Sequence, residues 1–173
     1  MFVALWLTLC VCSLLLSNKS TKRLLRMGAT LFNQKPVKGI MFLQSNGVLP
    51  PETEASPLPP DHLAVFLRTA LSVGLDKSAI GMYLGAAGSA QHKDVCETAS
   101  FHKDLLLAYT RLFHFDGQPL LSSLRMFLAA FRLPGEAQQI DRIIEAFSMA
   151  CVDCEEAEFS RANEGSDEQV RRA

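Results

Sequence analysis

Apolar residues recur at three-to-four spacing through the middle of the chain, the repeat that lines one side of an α-helix. From Thr21, the positions Leu24, Leu25, Gly28, Leu31 and Phe32 predict a first helix. Pro36 suits the opening turn of a second, whose apolar side is Val37, Ile40, Met41 and Leu43, with Gly47 placed to end it. "PPETEASPLPP", Pro50 to Pro60, has too many prolines for helix or strand and reads as a surface loop. Asp61 is placed to cap a short helix with Leu63, Phe66 and Leu67 inward. "LDKSAIGMYLG", Leu75 to Gly85, is another short helix ended by glycine, and "AAGSAQHKD" after it is a small polar loop.

A longer helix follows with Leu105, Leu106, Tyr109, Leu112 and Phe113, then a turn at "FDGQP". "PLLSSLRMFLAAF" puts Leu120, Leu121, Leu124, Phe127, Leu128 and Phe131 on one stripe. The last helix carries Ala137, Ile140, Ile143, Ile144 and Phe147. No stretch alternates as a strand, and no repeat of fixed period is present. The pattern predicts an all-α protein of about seven short, closely linked helices packed around one core.

The ends differ from the middle. "MFVALWLTLCVCSLLLS", Met1 to Ser17, is apolar, of signal-peptide length and short for a membrane span of roughly 20 residues. No Lys or Arg precedes it; Lys19, Lys22, Arg23 and Arg26 follow. As an anchor, that asymmetry keeps the rest of the chain in the cytosol; a buried helix and a misassigned start are the other readings. "EEAEFSRANEGSDEQVRRA" at the other end is charged and without apolar period, and reads as a disordered tail.

Composition narrows the chemistry. With 173 residues, 49% of them apolar, the chain is long enough for a single core. Its formal net charge of −1 leaves no basic excess for a nucleic-acid partner. Of five cysteines only Cys151 and Cys154 form a C-x-x-C; no second pair follows, and His92, His102 and His114 lack ligand spacing to it. A metal site is not expected, and reduced thiols are. No phosphate loop, G-x-S-x-G or H-E-x-x-H is present, so no covalent or metal-assisted catalysis is indicated.

One stretch interrupts the helical pattern. In "FRLPGEAQQIDR", Phe131 to Arg142, Pro134 disfavours helical geometry at Leu133, Gly135 frees the backbone, and Glu136 falls at the start of the next helix. An acid there is favoured by the helix dipole whether or not it has a further role.

The residues resemble a family. "FRLPGEAQQIDRIIEAF" resembles the first signature motif of the Sec-seven domain, the catalytic domain of guanine-nucleotide exchange factors for ARF GTPases. "LFNQKPVKGIMFLQSNGVL", "LDKSAIGMYLG" and "FHFDGQPLLSSLRMFLAAFRLPGEAQ" are similar to further blocks of that domain, in family order from Thr21 to Phe159. The FNQKP-x-K-G-I opening is most similar to that of the large, Golgi-associated exchange factors.

The resemblance implies a right-handed superhelical array of short helices, a role in vesicle trafficking and no cofactor. It implies that Glu136 is a glutamic finger, entering the nucleotide site of an ARF GTPase near the magnesium and the β-phosphate. The implied partner is an ARF-family GTPase, GDP-bound and nucleotide-free, at a Golgi or endosomal membrane surface. Arg132, Leu133, Pro134, Gly135, Ala137, Gln138, Asp141 and Arg142 share the motif as partner-binding or loop-anchoring residues; Phe127, Phe131 and Ile140 are expected in the core. The family's second motif, of the type A-Y-x-L-x-x-x-I-I-M-L-N-T-D-x-H, is replaced by "CEEAEFSRANEGSDEQVRRA". The expected organisation is therefore an apolar segment over 1–17, a Sec-seven-like domain over 21–159 that is incomplete at its C-terminus, and a disordered polar tail over 160–173. The alternative function is a helical module that binds ARF without catalysing exchange, or an inactive fragment.

Overall fold

The computed structural model describes residues 19–51, 58–86 and 99–171, with side chains of the last helix as far as Cys154. The apolar run 1–17, most of the proline-rich loop and the loop carrying His92 and Cys96 lie outside the described residues.

Seven α-helices are found among the described residues, and no strand. α1 is Lys19–Gln34, α2 Pro36–Ser45 and α3 Pro60–Thr69, followed by a 3₁₀ turn, Ala70–Val73. Then come α4 Lys77–Gly85, α5 Ala99–Thr110, α6 Leu120–Ala129 and α7 Ala137–Arg171. The all-α class and the helix number are as the periodicity predicts, but α7, at 35 residues, is not short.

Local signals explain most boundaries. Pro36 occupies the first turn of α2, where its missing N–H costs nothing, and Gly47 follows that helix at φ +68°. Asp76 caps α4: its carboxylate accepts the Ser78 N–H at 2.8 Å. Asp61 does not cap α3. Pro59 holds that position and Pro60 opens the helix, so Asp61 falls inside the first turn, where its charge still suits the dipole.

Two expectations about apolar faces need correction. On α6, Phe127 is fully buried and Phe131 just beyond it is 3% exposed, but Leu120 and Leu121 are 66% and 57% exposed. The helix begins at Leu120, and none of the described elements covers that opening turn. On α7, Ile143 and Phe147 face the core while Ile144 lies at its exposed edge. The backbone of α7 also continues as helix to Arg171, through the region read as a disordered tail. Ala, Glu, Gln and Arg are strong helix formers, and no proline interrupts the segment; an aperiodic sequence lacks a buried face, not helical propensity.

The buried side chains form one core that contains two aromatic groupings. Phe32 of α1 makes edge contacts with Phe66 and Tyr83, with ring centroids 6.1 and 5.2 Å apart. In the second grouping Phe127 meets Phe131, Phe113 and Phe147 at 5.0, 5.2 and 5.4 Å. Phe115, in the turn before α6, packs on Phe147 at 5.2 Å. Such aromatic pairs add directional energy to the area they bury. Because Phe131 belongs to this cluster and contacts Tyr109, the segment that follows it leaves the core from a fixed point.

Candidate functional site

Residues 130–136 connect α6 to α7 without helix, and Leu133, before the proline, is 41% exposed. Glu136 is exposed at the junction with α7. Its carbonyl oxygen accepts the N–H groups of Gln139 and Ile140, each at 3.1 Å, so it is the residue from which the helix is launched. Its carboxylate accepts one side-chain hydrogen bond, from Gln139 Nε2 at 3.2 Å. The charge therefore sits at the positive end of α7, with most of its hydrogen-bonding capacity turned to solvent.

The loop is braced from behind by α4. The Arg132 N–H donates to the Lys77 carbonyl at 3.0 Å, and Lys77 Nζ donates to the Ala129 carbonyl at 2.6 Å. One turn further, Gly81 lets the Arg132 carbonyl approach so closely that a Cβ there would overlap its oxygen. One turn further again, a Cβ on Gly85 would stand 2.9 Å from Gln139 Cβ and 3.2 Å from Pro134 Cγ. Arg142 closes the bracket: its Nη2 and Nε donate to the Gly85 carbonyl at 2.6 and 3.2 Å. The loop thus lies on a glycine-lined side of α4 and is tied there at both ends.

The motif residues divide accordingly. Arg132 by its backbone, Pro134 by burial and Arg142 by its guanidinium hold the loop. Leu133, Gly135, Glu136, Ala137, Gln138 and Asp141 are exposed. Phe127 and Phe131 are core, as expected, and Ile140 is half-buried. Gly135 is not in the left-handed region that favours glycine, and nothing lies within 4 Å of where its Cβ would be, so the sharp turn does not depend on its freedom. Lys77, Gly81, Gly85 and Gln139 were not recognised as site residues from the sequence. The signal was present in "LDKSAIGMYLG", where two glycines four residues apart line one side of a helix.

The cysteine pair lies elsewhere. Cys151 and Cys154 are half-buried on α7 and carry no disulfide. Burial, and then a hydrogen bond to Asp116, push the Cys154 thiol up to about 11. Among the described residues no cluster of His, Cys, Asp and Glu has the arrangement of a metal site. No helix among them is long and apolar enough to cross a membrane.

Human brefeldin A-inhibited guanine nucleotide-exchange protein 1 is 35% identical over 140 residues, which are 81% of this chain and 6% of that protein. The ARF guanine-nucleotide exchange factor GNOM of Arabidopsis thaliana is 39% identical over 131 residues, 76% of this chain and 8% of that one. The chain therefore spans less than a tenth of the length of these relatives. Among solved structures, the Sec7p catalytic domain superposes with a TM-score of 0.58 at 33% identity, covering 73% of this chain and 60% of that one. A Sec7 domain bound to ARF1-GDP and brefeldin A gives 0.60 at 31% identity, covering 77% and 58%. The family model for the Sec7 domain matches residues 21–167 and so takes in α7 beyond Phe159; the chain belongs to the Sec7 domain family.

Proposed function

We propose that this chain promotes GDP release from an ARF-family GTPase, with Glu136 as the group that enters the partner's nucleotide site. The observation that carries the reading is the exposed carboxylate of Glu136 on a loop locked to α4 by Gly81, Gly85 and Arg142. Relatives that share this region are named as guanine-nucleotide exchange proteins, and a similar domain has been solved with ARF1-GDP.

The mechanism needs no covalent step. A carboxylate brought to about 4 Å from a phosphate charge at a protein surface opposes it by about 4 kcal/mol, on the scale of a thousandfold in nucleotide affinity. It also competes with the phosphate for the partner's magnesium ion and phosphate-loop lysine. Bound GDP is weakened and the nucleotide-free complex is favoured, which is catalysis by preferential binding of one state. Rigidity matters because a charge on a mobile loop would retreat from the phosphate. Leu133 beside the finger, Met126 on α6 and Ile144 on α7 are exposed apolar side chains suited to gripping the GTPase. Action at Golgi or endosomal membranes belongs to the same proposal.

The test is release of fluorescent GDP from an ARF GTPase with the full chain and with Glu136→Lys. Acceleration that disappears on charge reversal supports the finger; equal activity of the two refutes it. The alternative reading, binding without exchange, predicts capture of the GTPase on immobilised protein with the release rate unchanged.

A further inference from the structure

Charge along this chain is strongly segregated. Residues 1–51 hold six basic residues, Lys19, Lys22, Arg23, Arg26, Lys35 and Lys38, and no Asp or Glu; the remaining residues therefore carry a net charge of −7. All six cations are exposed on α1, α2 and the residue between them, and none is ion-paired among the described residues.

Helix stability does not account for their placement. Lys19, Lys22 and Arg23 occupy the N-terminal end of α1, the positive end of its dipole, and no acid stands in that first turn. Cations there oppose the helix dipole. Lys19, Lys22, Arg23 and Arg26 follow the spacing i, i+3, i+4, i+7, which gathers them on one side of the helix, beside the face that buries Leu25, Gly28, Ala29 and Phe32. Exposed methionines accompany them: Met27, 45% exposed, stands four residues after Arg23, and Met41, 56% exposed, three after Lys38.

We infer that the exposed face of α1, continued by Lys35 and Lys38, docks on an anionic phospholipid surface. Cations interleaved with exposed methionines suit a bilayer, where the charges meet headgroup phosphates and the thioether side chains enter the acyl boundary. A nucleic acid would use the cations and leave the methionines in water. The net charge of −7 on the other residues disfavours their approach to the same membrane and so orients the chain on it.

The experiment is sedimentation of the full chain with phosphatidylcholine vesicles, with and without phosphatidylserine, for the parent and for K22A/R23A/R26A. Circular dichroism checks that the variant is folded. The expected result is binding that requires phosphatidylserine, weakens as salt is raised, and falls roughly a hundredfold in the variant, since each surface cation contributes about a fivefold factor. GDP release measured without vesicles should be equal for parent and variant, so failure of the lipid surface is read separately from failure of the exchange reading. Equal binding to neutral vesicles, equal binding by a folded variant, or tighter binding to duplex DNA than to phosphatidylserine vesicles would each overturn the inference.

Discussion

Three glycines stand near the loop in sequence or in space, and alanine at each should have a different effect. At Gly81 the new Cβ would overlap the Arg132 carbonyl oxygen, which is backbone and cannot swing aside. Loop and α4 must separate, at about 1–3 kcal/mol for overpacking. Separation also stretches the Arg132–Lys77 and Lys77–Ala129 hydrogen bonds, at about 1 kcal/mol each. Gly81→Ala should therefore lose about 3–5 kcal/mol. At Gly85 the neighbours are the Cβ of Gln139 at 2.9 Å and the ring of Pro134 at 3.2 Å, and alanine recovers part of the helix-propensity cost of glycine, so about 1 kcal/mol is expected. At Gly135 nothing lies within 4 Å and the backbone is accessible to alanine, so the change should be neutral or stabilising by up to about 1 kcal/mol. Urea unfolding followed by circular dichroism measures all three, with equal m-values as the check that the denatured state is unchanged. If Gly81→Ala lies within about 0.5 kcal/mol of the parent, or Gly135→Ala is as damaging as Gly81→Ala, the bracing of the loop by α4 is wrong. A loop displaced by about 1 Å should also cost about a hundredfold in any exchange activity.

Arg142→Ala removes two charge-assisted bonds to the Gly85 carbonyl and should cost about 1.5–3 kcal/mol, with Arg142→Lys recovering only part of it because the paired geometry is lost; thermal unfolding of both variants checks this. Tyr109 is fully buried, and its hydroxyl has no partner among the described residues. Tyr109→Phe should therefore be neutral or stabilise by about 1 kcal/mol in a denaturant titration. Burial, partly offset by Arg68, pushes the Tyr109 phenol up from 10.0 to about 12. Its folded pKa is raised, so its contribution is fully present below pH 10 and is lost as pH rises toward 12. The parent should lose stability across that window relative to Tyr109→Phe, and a parallel alkaline dependence of the two proteins would contradict it.

Helix type and order were legible because three-to-four spacing and Pro36 are local signals, and the chain obeys them where α2 begins. Leu120 and Leu121 misled because periodicity says which residues share a side of a helix and not whether a neighbour covers it. The charged end misled in the other direction, since helical backbone needs propensity and no buried face.

By itself, the amino-acid sequence determined the all-α class, most helix starts, the family and the place of Glu136 at a chain reversal, each a matter of residues near one another along the chain. The tertiary structure alone decided that the reversal is held rigid. Its supports, Lys77, Gly81 and Gly85, lie some fifty residues upstream of Ala129, Arg132, Pro134, Gln139 and Arg142, which they meet. Gly81 and Gly85 act through the side chains they lack, and a vacancy of that kind has meaning only once another segment is seen to occupy it.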